Sequence, residues 1–168
     1  GGFRLHGRID RIDVAPDGRA LIRDYKLSKK VTAGTKLVGE GKLQLPLYLL
    51  AARGFGIDPV GGLYSPLGAT TDDRPRGLIA GEVKGELIAS ATELNVKTDF
   101  VDRESFDDVI EAARGRAAEH VSSIRAGDIG RRPRDGECPT WCDMASICRI
   151  ERGATVPDPE AEEDAAAA

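Results

Sequence analysis

The stretch GRIDRIDVAPDGRALIRDYK, residues 7–26, decides how this chain folds. Ile9, Ile12 and Val14 stand among polar residues, so the segment from residue 3 to residue 14 has strand character. PDGR at 16–19 is turn chemistry, with proline, aspartate and glycine in succession. ALIRDYKL at 20–27 is a second strand-like run, so the two strands and their short connection form a hairpin. On the second strand Asp24 and Lys26 are two apart, and side chains two apart on a strand leave the same face. The turn brings Asp10 alongside, so two carboxylates and a lysine are expected to converge on one side of the ribbon. Asp13 has the opposite parity and is expected to pair with Arg11 or Arg23.

A surface hairpin with alternating charge would give the same D-x-K spacing. Ile9, Ile12, Ile22 and Tyr25 are apolar enough for a central strand, where an inward carboxylate and lysine need a reason. Phosphodiester hydrolysis supplies one. Carboxylates hold Mg²⁺, a hard cation that prefers oxygen, and the metal activates water and neutralises phosphate charge. A lysine there positions or deprotonates the water, or stabilises the transition state.

Further along, LQLPLYLLAARG at 43–54 has helical character, with Pro46 tolerated in the first turn and Gly54 as the stop. Residues 59–67 suggest another strand, and 68–86 are loop-like. The segment 104–127 is the longest helical pattern. Its stripe is Phe106, Val109, Ile110, Ala113, Ala117, Val121 and Ile124, with Asp102 or Ser105 as the cap. Strands mixed with helices indicate an α/β class.

Three motifs in order resemble the nuclease domain of RecB and AddB helicase-nucleases and of related stand-alone exonucleases, including CRISPR-associated ones. They are Gly7–Asp13, Ile22–Lys26 and QLPLY from Gln44 to Tyr48. The resemblance implies a PD-(D/E)xK nuclease with a restriction-endonuclease-like core, a mixed sheet flanked by helices. It makes Asp10 and Asp24 ligands of Mg²⁺ or Mn²⁺, with the Tyr25 carbonyl as another, and Lys26 the catalytic lysine. Gln44 and Tyr48 match its Q-x-x-x-Y motif and share a helix face, from which they approach the DNA backbone or the lysine. Read without the resemblance, Gln44 is a plain helix residue and Tyr48 a core aromatic. The family's further ligand, a His or Glu on a helix before the first strand, is expected upstream of Gly1. His6 has the parity of Asp10 but reads as a packing or surface residue.

All three cysteines, Cys138, Cys142 and Cys148, fall within eleven residues, a metal-site signal one ligand short of four. The resemblance implies a [4Fe–4S] cluster completed by an upstream cysteine, although the family more often has two residues between the first pair, where this chain has three. Zn²⁺ is the competitor, and free thiols the reading without a metal. Arg131, Arg132 and Arg134 could touch phosphates or line a solvated loop.

The chain has 168 residues and a net charge of −4. The tail after Val156 holds five acids and no base, which leaves 23 acids against 24 bases in the body. That balance neither advertises nor forbids DNA binding. The expected organisation is a nuclease domain over 1–150, with a cysteine loop at 135–150, and a disordered acidic tail over 151–168. No apolar run approaches the roughly 18 residues that cross a bilayer, no secretory leader is visible, and G-x-x-x-x-G-K-[ST] is absent. The start without Met reads as a break in a longer protein. The expected partners are DNA, single-stranded or at duplex ends, and a helicase domain or subunit; the expected setting is cytoplasmic DNA repair and recombination. The rivals are a non-catalytic DNA-binding or scaffold domain of the same fold and, within the enzymes, a CRISPR-associated exonuclease.

Overall fold

The computed structural model describes residues 2–27, 31–67, 74–85, 94 and 97–130. The hairpin forms as read. Strand β1 is Arg11–Val14 and β2 is Arg19–Lys26, paired antiparallel with Arg11 opposite Arg23 and Val14 opposite Ala20. Their connection is a turn in which Gly18 N–H donates to the Ala15 carbonyl at 2.9 Å. Gly18 takes φ 87°, a left-handed conformation that favours glycine. Pairing begins only at Arg11. Residues 3–9, expected to extend the first strand, carry no regular secondary structure. They lie instead along the first helix, where Leu5, Gly7 and Ile9 line a groove with Leu47, Tyr48 and Phe55.

Side chains alternate along β2: Ala20, Ile22 and Asp24 are buried, while Tyr25 is 37% exposed. Asp13 faces the other way and takes Arg11 Nε at 2.6 Å and Arg23 Nε at 3.0 Å. Partial burial raises its pKa, but the hydrogen bonds and charges of the two arginines outweigh burial and hold it below the ordinary 3.8. A carboxyl whose folded pKa is depressed adds stability above its unfolded pKa and loses it as pH falls through the folded one. Wild type is therefore expected to lose more stability than Asp13→Asn between about pH 5 and pH 3, read from urea midpoints. The difference is modest, because the pair is partly solvated. Identical pH profiles would contradict it.

After a 3-10 turn at Gly34–Lys36, helix α1 (Gln44–Gly54) crosses to β3 (Asp58–Pro66), which runs parallel to β2 with Asp24 opposite Tyr64. A register shift at Ala20/Leu21 lets both Val60 and Leu63 join Leu21 on one side of the sheet. Strand β4 (Arg76–Ala80) pairs antiparallel with β3, in a stretch the sequence alone assigned to loop. Strand β5 (Phe100–Val101) pairs parallel with β4. The result is a mixed five-stranded sheet in sequence order, the core of a restriction-endonuclease-like α/β fold.

One face buries Ile22, Tyr64, Leu78 and Ala80 with Leu45 and Leu49 of α1 and Phe106 and Ile110 of helix α2 (Arg103–Arg125). The other buries Leu63, Ile79, Val83, Leu94 and Phe100. Close approach of α1 requires Gly62, where a Cβ would meet the Leu45 side chain at 2.8 Å. Asp102 caps α2 by accepting the Ser105 N–H at 2.8 Å and its hydroxyl at 2.9 Å. Those bonds, the backbone one foremost, hold the Asp102 carboxyl below its usual range. The apolar stripe of α2 is buried at Phe106, Ile110, Ala113 and Ala117, but Ile124, expected to continue it, is 64% exposed.

The chain divides into two units, Gly1–Ser122 and Ser123–Ala168. The sheet, α1 and most of α2 belong to the first. In the second, the described residues are 123–130, which end α2 in a turn with Gly127 at φ 79°. The arginine patch, the three cysteines and the acidic tail lie outside the described residues.

Candidate active site

Lys26 is the hub of the site. It ends β2 on the same face as Asp24, and its Nζ lies 2.5 Å from Asp24 Oδ2 and 2.6 Å from Gln44 Oε1. Gln44 opens α1, and its amide nitrogen donates to Asp24 Oδ1 at 3.2 Å and to Tyr48 Oη at 2.9 Å. Tyr48, one turn on, donates its hydroxyl to the Arg8 carbonyl at 2.7 Å. One glutamine side chain thus uses both amide hydrogens and its carbonyl to bind lysine, aspartate and tyrosine together. Of the Q-x-x-x-Y pair, Gln44 reaches the lysine, while Tyr48 reaches the Gln44 amide and the Arg8 carbonyl.

Asp10 sits one step beyond the β1–β2 ladder, where the register continues to the position opposite Asp24. Its Oδ2 accepts the Tyr25 N–H at 2.9 Å, which ties the acid to the strand carrying Asp24 and Lys26. Asp10 is solvent-exposed, whereas Asp24 is 3% exposed. The hairpin therefore presents one acid at the surface and one at depth. His6 lines the groove along α1 and joins no cluster with them. Among the described residues there is no group of three or more His, Cys, Asp or Glu side chains able to hold a metal.

Two acids nevertheless suit one kind of ion. Mg²⁺ keeps most of its water and is commonly held by one or two carboxylates plus substrate phosphates. The buried Asp24 Oδ2 also has spare capacity. Lys26 Nζ is close enough for an ion pair, yet no hydrogen-bond donor among the described residues is directed at this oxygen. A buried acceptor in that condition is a natural place for a hard cation. Asp10, Asp24 and the Tyr25 carbonyl would all offer oxygen, a donor chemistry that suits a hard divalent cation rather than a soft one.

The sequence reading missed Tyr64. Its ring is 4% exposed, its centroid lies 5.2 Å from Lys26 Nζ, and its hydroxyl accepts the Leu45 N–H at 3.3 Å. Burial, above all, pushes its phenol up to about 12; the Asp24 charge and Tyr48 add to this, against the Leu45 hydrogen bond, so the ring stays neutral. The alternation of β3 contained it, but only the parallel register places it opposite Asp24. Tyr64, Lys26 and Gln44, with Thr32 and Lys42, line a cleft of about 440 Å³. Lys42 is exposed beside it, a cation placed to attract an anionic polymer.

None of the described helices is long and apolar enough to cross a membrane. No curated protein matches the chain. The family model for the PD-(D/E)XK nuclease superfamily matches residues 1–149, a span that includes the hairpin, Gln44, Tyr48 and all three cysteines. With a mixed sheet that carries Asp24 and Lys26 side by side under Gln44, the chain belongs to the PD-(D/E)XK nuclease superfamily.

Proposed function

We propose that this domain hydrolyses DNA phosphodiester bonds with Mg²⁺ or Mn²⁺ held by Asp10, Asp24 and the Tyr25 carbonyl, and with Lys26 as the catalytic lysine. The observation that carries the reading is the Asp24–Lys26–Gln44 knot beside a solvent-open cleft. When bound, the cation supplies charge neutralisation at the phosphate and an activated water. The chain's own residues do the rest. Gln44 takes one of the three donors of the Lys26 ammonium and the Asp24 carboxylate anchors its charge, which leaves a donor for a phosphate oxygen or the attacking water. Because both partners are themselves fixed, one by burial and one by Tyr48, that donor is held ready before substrate arrives. Lys42, on the cleft wall, draws the DNA backbone toward it.

Within this reading the domain is an exonuclease of DNA repair and recombination, cytoplasmic, and joined to a helicase domain or subunit. Cys138, Cys142 and Cys148 would hold a structural [4Fe–4S] cluster with a fourth cysteine, Zn²⁺ being the alternative. The support is the order and spacing of the three motifs and the clustering of every cysteine in one window.

The test compares end-labelled linear DNA with closed circular DNA, in Mg²⁺ and in excess chelator, with iron, sulfide and zinc measured on the same sample. Mononucleotide release from ends, abolished by chelator, is the expected result. Absence of any metal-dependent hydrolysis would end the catalytic reading, and cleavage of the circle would replace exonuclease by endonuclease.

A further inference from the structure

We propose that Tyr64 is a positioning residue for Lys26, its buried ring forming the wall that holds the ammonium between Asp24 and Gln44. The inference rests on the reading of Lys26 as the catalytic lysine, and it adds a residue outside the hairpin and the Q-x-x-x-Y pair. Its basis is topological. Strands β2 and β3 run parallel with Asp24 opposite Tyr64, so the ring shares the face of Asp24 and Lys26. From there it lies 5.2 Å from Lys26 Nζ, within the range where a ring face attracts a cation. Asp24 and Gln44 fix the ammonium by charge and hydrogen bonding, and the ring bounds it on a further side. A flexible four-carbon stem needs such confinement, because a lysine head loses rotamer freedom whenever it is held in one place.

The same side chain has a second, separable task. The first N–H groups of a helix lack intrahelical partners. Leu43, at the start of α1, provides no side-chain cap, and Pro46 has no N–H to satisfy. The Tyr64 hydroxyl takes the Leu45 N–H and so ties the helix bearing Gln44 to the strand beside Asp24. The hydroxyl and the ring can therefore be tested apart.

Tyr64→Phe removes the hydroxyl and keeps the ring. Tyr64→Leu and Tyr64→Met remove the ring and keep an apolar filling. Tyr64→Phe is expected to melt at lower temperature yet stay within about threefold of wild-type kcat. The ring-less variants are expected to lose about tenfold in kcat, with KM little changed. If Tyr64 were only a core residue, kcat would follow melting temperature across all three. A second readout needs no turnover. Protons over an aromatic face resonate upfield, so the Lys26 side-chain methylenes should be shifted upfield in wild type and Tyr64→Phe and return to solvent values in Tyr64→Met. Wild-type Lys26 resonances at solvent values would overturn the proposal, as would full kcat in folded Tyr64→Leu or Tyr64→Met. A wild type without metal-dependent hydrolysis would instead count against the nuclease reading, and the resonance shift would still report on the cradle.

Discussion

Asp24→Asn is expected to lower metal-dependent DNA hydrolysis by about a thousandfold or more while leaving the domain folded. The substitution keeps shape and an acceptor oxygen for the Gln44 amide, so the bond to Oδ1 has a successor. It removes the buried charge, and with it a ligand that the proposed function assigns to the divalent cation. Three decades in rate correspond to about 4 kcal/mol of transition-state stabilisation, which is what a metal that neutralises phosphate charge contributes. Stability should move little. Asp24 is 3% exposed, its Oδ2 has no directed donor among the described residues, and Lys26 retains a third of its side-chain surface in water once its partner becomes neutral. Melting curves give an independent arm. An ion that binds only the folded state raises the melting temperature as its concentration rises. Wild type should show that rise with Mg²⁺, and Asp24→Asn should not. Equal hydrolysis by the two proteins would remove Asp24 from the mechanism.

The hairpin was legible because every level of the sequence agreed on it. Proline, aspartate and glycine made the turn, period-two apolar residues made the strands, and parity put Asp24 with Lys26 and Asp13 with the arginines. Helix α1 was legible for the same reason, and its four-residue spacing carried Gln44 and Tyr48 to one face. What failed had non-local causes. Residues 3–9 have strand composition, but their neighbour is a helix rather than another strand, and strand propensity without a pairing edge makes no strand. Strand β4 is only five residues, RGLIA, in a stretch rich in turn-formers, so its identity comes from the register with β3. Tyr64 was an ordinary strand aromatic until a parallel neighbour placed it beside Asp24. Sequence spacing carries contacts within a hairpin or a helix turn, but contacts across a crossover depend on the assembled sheet.

Asp99 is the sharpest instance, and it sets the largest stability effect expected outside the site. In sequence it is one acid among many, in a stretch of strand-like or irregular character that runs to about Asp102. In the fold it is fully buried, and Arg76 Nε lies 3.0 and 2.9 Å from its two carboxylate oxygens. Arg76 also reaches the Thr98 hydroxyl, and the Asp99 carbonyl accepts the Ile79 N–H at 2.8 Å. The pair clasps β4 to a β5 of only two residues. Asp99 is fully buried while Arg76 keeps a quarter of its side-chain surface in water, so the orphaned guanidinium is partly solvated and Asp99→Ala is expected to cost about 2–3 kcal/mol in urea unfolding. Arg76→Met combined with Asp99→Leu should recover a large part of that loss, since the penalty belongs to the orphaned charge rather than to the missing attraction. The site should feel the single substitution only through the fold. Arg76 stands opposite Tyr64 in the β3–β4 register, so loosening β4 also loosens the strand that backs Lys26. At a temperature where Asp99→Ala remains folded, its kcat should stay near wild type, and loss of activity should follow loss of structure on warming. A cost below about 1 kcal/mol would show that water replaces the aspartate and that the clasp is not what holds this edge of the sheet.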